Sequence, residues 1–99
     1  MRLYNLTLKD YETIIDDISS SINFKNSYFT KSFDGIIGDN IKYTLYISCL
    51  AYKDDEKVTD IVPIWWEFHT YDDVIYDEFM NDFNFNFFKK MLIEHGNNF

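Results

Sequence analysis

Ile61-Val62-Pro63-Ile64-Trp65-Trp66-Glu67-Phe68-His69-Thr70 is the most apolar and aromatic run in the chain, and it holds both tryptophans. Side chains of a strand alternate between its two faces. On that period Val62, Ile64, Trp66, Phe68 and Thr70 form one almost wholly apolar face. Ile61, Pro63, Trp65, Glu67 and His69 form the other, which is mixed. The run is therefore expected to be a central strand, with the Trp66 face on the core and the Trp65 face turned away. Pro63 has no N–H for a ladder, so it marks a bulge or a place near a strand start.

The neighbouring strands follow from the same period. Residues 40–53 alternate most cleanly: Ile41, Tyr43, Leu45, Ile47, Cys49 and Ala51 on one face, and Lys42, Thr44, Tyr46, Ser48, Leu50 and Tyr52 on the other. A polar loop over 53–57 joins this strand to the central one as an antiparallel pair, with Val58 or Thr59 opening the latter. Residues 24–37 read as an earlier strand. Phe29, Lys31 and Phe33 share one of its faces, which suits a sheet edge, where a lysine is tolerable. Its turn is placed at Gly38-Asp39-Asn40 rather than at Asp34-Gly35, because Ile36 and Ile37 continue the strand. After the central run, Tyr71-Asp72-Asp73 is expected to turn the chain into a short return strand, from Val74-Ile75-Tyr76 to about Phe79, ended by Asn81-Asp82.

Two helices flank these strands. Thr7 is a good N-cap with Asp10 three residues on, an acidic variant of the capping box. Leu8, Tyr11, Ile14, Ile15, Ile18 and Ile22 then fall at helical spacing, so the first helix is expected over 8–20, with Asn23 as its stop. Asn84 caps a second helix over 85–95. Phe83 and Phe88 stand at hydrophobic-staple spacing, Phe85, Phe88 and Leu92 form the apolar stripe, and Gly96 suits the C′ position. The order α-β-β-β-β-α predicts an α+β two-layer sandwich. In it an antiparallel four-stranded meander carries both helices on one face, as a single domain over 1–99.

Composition narrows the function. The formal net charge is −8, which disfavours direct binding to nucleic acid and suits either a basic protein partner or simply solubility. Cys49 is the single cysteine, so no intrachain disulfide forms, and a reducing cytoplasm is the simplest compartment. Residues 1–6 lack the apolar segment of a signal peptide, and no run approaches the roughly 18 apolar residues of a membrane helix. Ala, Arg and Pro occur once each while Phe and Tyr abound, a bias that AT-rich codons produce.

With two helices on one side only, Trp65, Tyr46, Leu50 and Tyr52 are expected to stand exposed on the open face, as anchors for a protein partner or a second copy. Glu67 and His69 share that face, roughly 7 Å apart along the strand. Acid–base work is one reading of them, and a salt bridge is the simpler one. No nucleophile, glycine-rich phosphate loop or zinc spacing accompanies them, so no catalytic, cofactor or metal residue is assigned. The acids at 54–56, 72–73 and 77–78 do not match calcium-loop spacing and read as solvated turns.

The Ile61–Phe68 stretch, the hairpin after it and the Asn81-Asp82-Phe83-Asn84-Phe85 helix start resemble small proteins of gut bacteria and of their phages or mobile elements. The resemblance covers the last 40 residues or so and implies no catalytic residue. The exposed Trp65/Tyr46/Tyr52 face leads to the expectation of a non-enzymatic interaction module that binds a protein partner or itself, and the charge of −8 to one version of it, a phage or mobile-element accessory or inhibitor protein that presents an acidic surface to a basic partner. The alternatives are a small-molecule-binding protein or minor enzyme using Glu67 and His69, and a structural homo-oligomeric subunit.

Overall fold

A computed structural model describes residues 3–19, 21–22, 27–55 and 57–97. The elements run β1 (Leu3–Tyr4), α1 (Leu8–Ser19), β2 (Tyr28–Ile37), β3 (Ile41–Asp54), β4 (Lys57–Asp72), β5 (Glu78–Asn81) and α2 (Phe85–Asn97). The class is α+β, as expected. The sheet is five-stranded and mixed, in the order β1-β5-β4-β3-β2, rather than a four-stranded antiparallel meander. The added strand is β1, which pairs parallel with β5 at Leu3↔Met80 and Tyr4↔Asn81. Two residues carry no readable period, which hid this strand in the sequence. The expected start of β2 at Phe24, the helix stop at Asn23 and Glu56 of the hairpin loop lie outside the described residues.

Local chemistry fixes the helix starts. The Asp10 N–H donates to Thr7 Oγ1 at 3.2 Å, while Asp10 Oδ2 accepts from the Thr7 N–H at 2.9 Å and from Tyr4 Oη at 2.6 Å. The capping box thus also ties β1 to α1. At α2, Asn84 Oδ1 accepts the Phe87 N–H at 3.1 Å, and the rings of Phe83 and Phe88 meet at 5.4 Å. The helix continues through Gly96 to Asn97, so Gly96 is not its C′ residue.

The core draws on both helices and on the strands. Tyr11, Ile14, Ile15 and Ile18 of α1 and Phe85, Phe88 and Leu92 of α2 join Tyr43, Leu45, Ile47, Cys49 and Ala51 of β3 in one buried cluster. Leu8, placed in the α1 stripe by its spacing, is exposed. Gly35 lets β2 approach closely: a Cβ there would lie 2.5 Å from the Tyr43 ring and 2.8 Å from an Asp17 carboxylate oxygen. The Tyr43 hydroxyl donates to that carboxylate at 2.9 Å.

Two corrections concern β4 and the loop after it. The pairing of β4 with β3 skips a residue twice. Ser48 opposes Trp65 but Cys49 opposes Pro63, and Tyr52 opposes Asp60 but Lys53 opposes Val58. The bulge at Ile64 shifts the alternation, because one extra residue reverses every side chain beyond it. Before it, Ile61 is buried and Val62 exposed; after it, Phe68 and Thr70 are buried. Val62 and Ile64 therefore do not share the core face with Phe68. The second correction is the return strand. Residues 73–77 form a loop, and β5 begins only at Glu78. As expected, β2 lies at a sheet edge with Lys31 exposed, and its turn is Gly38-Asp39-Asn40, where Gly38 (φ 53°) and Asn40 (φ 59°) adopt the left-handed conformation.

Candidate functional site

Residues 65 and 66 lie beyond the Ile64 bulge, and strand alternation sends their indoles to opposite sides. Trp66 packs on Phe85 at 5.3 Å and Phe83 at 5.5 Å, beside the core, yet it stays 36% exposed. It is not sealed under the helices. Trp65 is 49% exposed, and its ring lies 6.0 Å from that of Tyr46 on β3. From there the aromatics continue along the strand pair. Tyr46 meets His69 edge-on at 6.3 Å, and His69 stacks on Tyr71 at 6.2 Å. Four rings from two strands thus form one continuous row.

His69 organises the charged end of this row. Its Nε2 lies 3.0 Å from Glu67 Oε1, and its Nδ1 lies 2.7 Å from Glu78 Oε1 on β5. Only an imidazolium donates from both nitrogens at once, so this geometry favours the charged ring. The hydrogen bond to Glu78 holds the His69 pKa above its usual value. Partial burial opposes that shift, and the Glu67 bond adds to it. The pair expected from sequence is therefore a three-member ionic cluster. It also ties β5 to β4, where the backbone register gives only Thr70↔Phe79 and Tyr71↔Glu78.

Hydroxyls mark the other side of Trp65. Ser48, directly opposite it in register, is buried; its Oγ lies 3.1 Å from Thr30 Oγ1 and 3.3 Å from Tyr28 Oη. Thr30 Oγ1 donates to Tyr28 Oη at 2.6 Å. These bonds hold the Tyr28 pKa below its usual value, because they stabilise the phenolate.

The six expected contact residues thus lie on one face in two groups. Trp65, Tyr46, Glu67 and His69 are in mutual contact as a chain. Leu50 and Tyr52 lie farther along β3, opposite Val62 and Asp60, on the other side of the bulge. The reading from sequence missed Glu78, Tyr71, Tyr28, Thr30 and Ser48. Tyr71 was within reach, two positions from His69 on the same strand. Glu78 was not, because its alignment with Tyr71 depends on the loop that precedes it.

An acid–base site would place Glu67 and His69 in a concavity. The adjoining hollow, about 360 Å³, is lined instead by Asp34, Lys42, Thr44, Tyr71 and Tyr76. Among the described residues no group of three or more His, Cys, Asp or Glu is arranged to hold a metal ion. Cys49 is buried, which pushes its thiol up to about 12 and keeps it protonated at neutral pH. No described helix is long and apolar enough to cross a membrane. No family model, no curated protein and no solved structure matches the chain, so this face must be read from its own geometry.

Proposed function

We propose that this chain is a non-enzymatic protein-interaction module. In this reading both helices cover one face of the sheet, and the other, with Trp65 and Tyr46 at its centre, is the contact surface for a basic protein partner. The observation that carries it is Trp65, half exposed against Tyr46 in a continuous row of four rings. Tryptophan and tyrosine dominate binding hot spots because they offer large, stiff contact area at low entropic cost. An antiparallel sheet normally turns a polar face to water. Here Tyr28, Tyr46, Tyr52, Val62, Trp65 and Met80 are all exposed instead. The formal charge of −8 supports a basic partner over a second copy, since like charge opposes self-association. The phage or mobile-element resemblance fits an accessory or inhibitor role of this kind.

The test is affinity capture from the organism that encodes the chain, with wild type and Trp65→Ala side by side. A basic protein should be retained by wild type and lost with the variant. It should elute as NaCl rises from about 50 mM to about 500 mM, where screening shortens the reach of surface charge to a few ångströms. Retention indifferent to both changes refutes the reading. Sedimentation at micromolar concentration should show a monomer; a dimer abolished by Trp65→Ala would instead support the homo-oligomeric subunit.

A further inference from the structure

The loop between β4 and β5 presents Val74, Ile75 and Tyr76 at 81%, 56% and 65% exposure. Three successive apolar side chains left in water are a fault in a sequence unless they serve a contact. Folding buries little of their surface. Their backbone is nonetheless closely held. Asp72 Oδ1 accepts the N–H groups of Val74 at 2.8 Å and Ile75 at 3.0 Å. The Tyr76 N–H donates to the Asp72 carbonyl, and the Asp72 N–H to the Asp77 carbonyl, both at 2.9 Å. Tyr76 sits at φ 59°, a left-handed conformation that is rare for a bulky side chain and costs free energy to maintain. Lys42 Nζ lies 5.6 Å from the centre of its ring. A loop tied and strained in this way gives up little further freedom on binding.

The charges around it are one-sided. Asp72, Asp73, Asp77 and Glu78 belong to or flank the loop, and Asp34 lines the hollow beside Tyr76. The β2–β3 turn with Asp39 lies at the same end, because Ile41 pairs with Asp72. Against these acids stand Lys42, beside the Tyr76 ring, and His69, bonded to Glu78. We infer that this loop is a preorganised docking tip, whose apolar side chains enter a cleft of a protein partner with Lys or Arg at the mouth. The inference rests on the interaction-module reading and adds a second, separate contact element to the Trp65 face. An anionic lipid surface would be repelled by the same acids, and so would a second copy of the chain.

Photo-crosslinking separates the two elements. p-Benzoylphenylalanine is placed at position 75 in one sample and at position 65 in another, and each is irradiated in lysate of the encoding organism. An adduct from position 75 should map to an apolar segment flanked by Lys or Arg. Ile75→Ser should weaken that partner's binding about tenfold or more. Its thermal melt should match wild type, because the side chain is exposed; Val74→Ser serves the same purpose if it does not. Adducts from position 65 alone would overturn the docking tip and leave the sheet-face reading intact. Adducts from neither would overturn both. An acidic target segment, an adduct to the chain itself, or sedimentation with phosphatidylcholine vesicles that Ile75→Ser abolishes would each overturn the inference.

Discussion

Trp66 touches Phe83 and Phe85 but keeps about a third of its surface in water, 36% by accessibility. Its truncation should therefore cost less than the 3–5 kcal/mol typical of a sealed aromatic. We expect about 2–3 kcal/mol for Trp66→Ala and less than about 1 kcal/mol for Trp65→Ala, read from urea denaturation. Equal losses at the two positions would contradict the face assignment. His69 offers a second single-residue test. Its folded pKa is raised, so its contribution is fully present below the unfolded value near 6.5 and fades as pH rises through the folded value. Glu78→Gln removes the largest cause and should lower the imidazole titration seen by NMR more than Glu67→Gln does. It should also flatten the fall in stability as pH rises above the unfolded value near 6.5. A larger effect from Glu67→Gln would reverse the assigned order. The outward placement of Trp65, Glu67 and His69 was legible from period two alone, because they lie beyond the bulge in one regular register.

The elements that sequence misjudged have two causes: β4 depends on a ladder partner distant in the chain, and the loop after it on a side chain close by. Period two assumes an unbroken ladder, and Val62 and Ile64 satisfy it as well as Phe68 does. Only pairing with Ser48 and Cys49 reveals the extra residue, although Pro63 gave warning of it. Val74-Ile75-Tyr76, by contrast, has the composition of a strand. It is a loop because Asp72 captures its N–H groups before a neighbouring strand can. Where local chemistry suffices, the sequence was a sound guide. Thr7 with Asp10, Asn84 with Phe87, and Phe83 with Phe88 all interact as their spacing implies. The bulge makes a deletion experiment informative. Removing Ile64 brings the Trp65–Ser48 and Pro63–Cys49 pairs into consecutive register, so Ile61 and Phe68 keep their core positions. This deletion should fold, at a cost of about 1–2 kcal/mol, partly because Pro63 would then sit in a regular ladder. Removing Thr44 shifts β3 where it is regularly paired with both Asp34 and His69, and should abolish folding. Circular dichroism and urea titration of the two deletions decide the point. A folded Thr44 deletion, or an unfolded Ile64 deletion, would show that register is set elsewhere.

At the scale of the molecule, one charge imbalance acts on two properties with opposite sign. The chain carries 17 acids against 9 Lys and Arg, and several of those acids crowd the end of the sheet that holds the β2–β3 turn and the β4–β5 loop. Repulsion among them opposes the compact state, and salt weakens that repulsion. Among the described residues, the ion pairs that salt also weakens include Lys89–Asp60 at 3.1 Å and His69 with its two glutamates, at or near the surface. Pairs of that kind contribute at most about 1 kcal/mol each. Repulsion should dominate, so Tm should rise by a few degrees between about 10 mM and about 300 mM NaCl at pH 7.5. Over the same series affinity for a basic partner should fall, because there the acids attract across the interface and are screened in the same way. A calorimetric melt and a binding isotherm at each salt concentration test both signs together. If Tm and affinity fell in parallel, the acids would be holding the fold through their ion pairs, and a partner chosen by charge would lose its main support. If Tm rose while affinity stayed flat, binding would rest on the aromatic face alone, and the acids would serve only to keep the chain in solution.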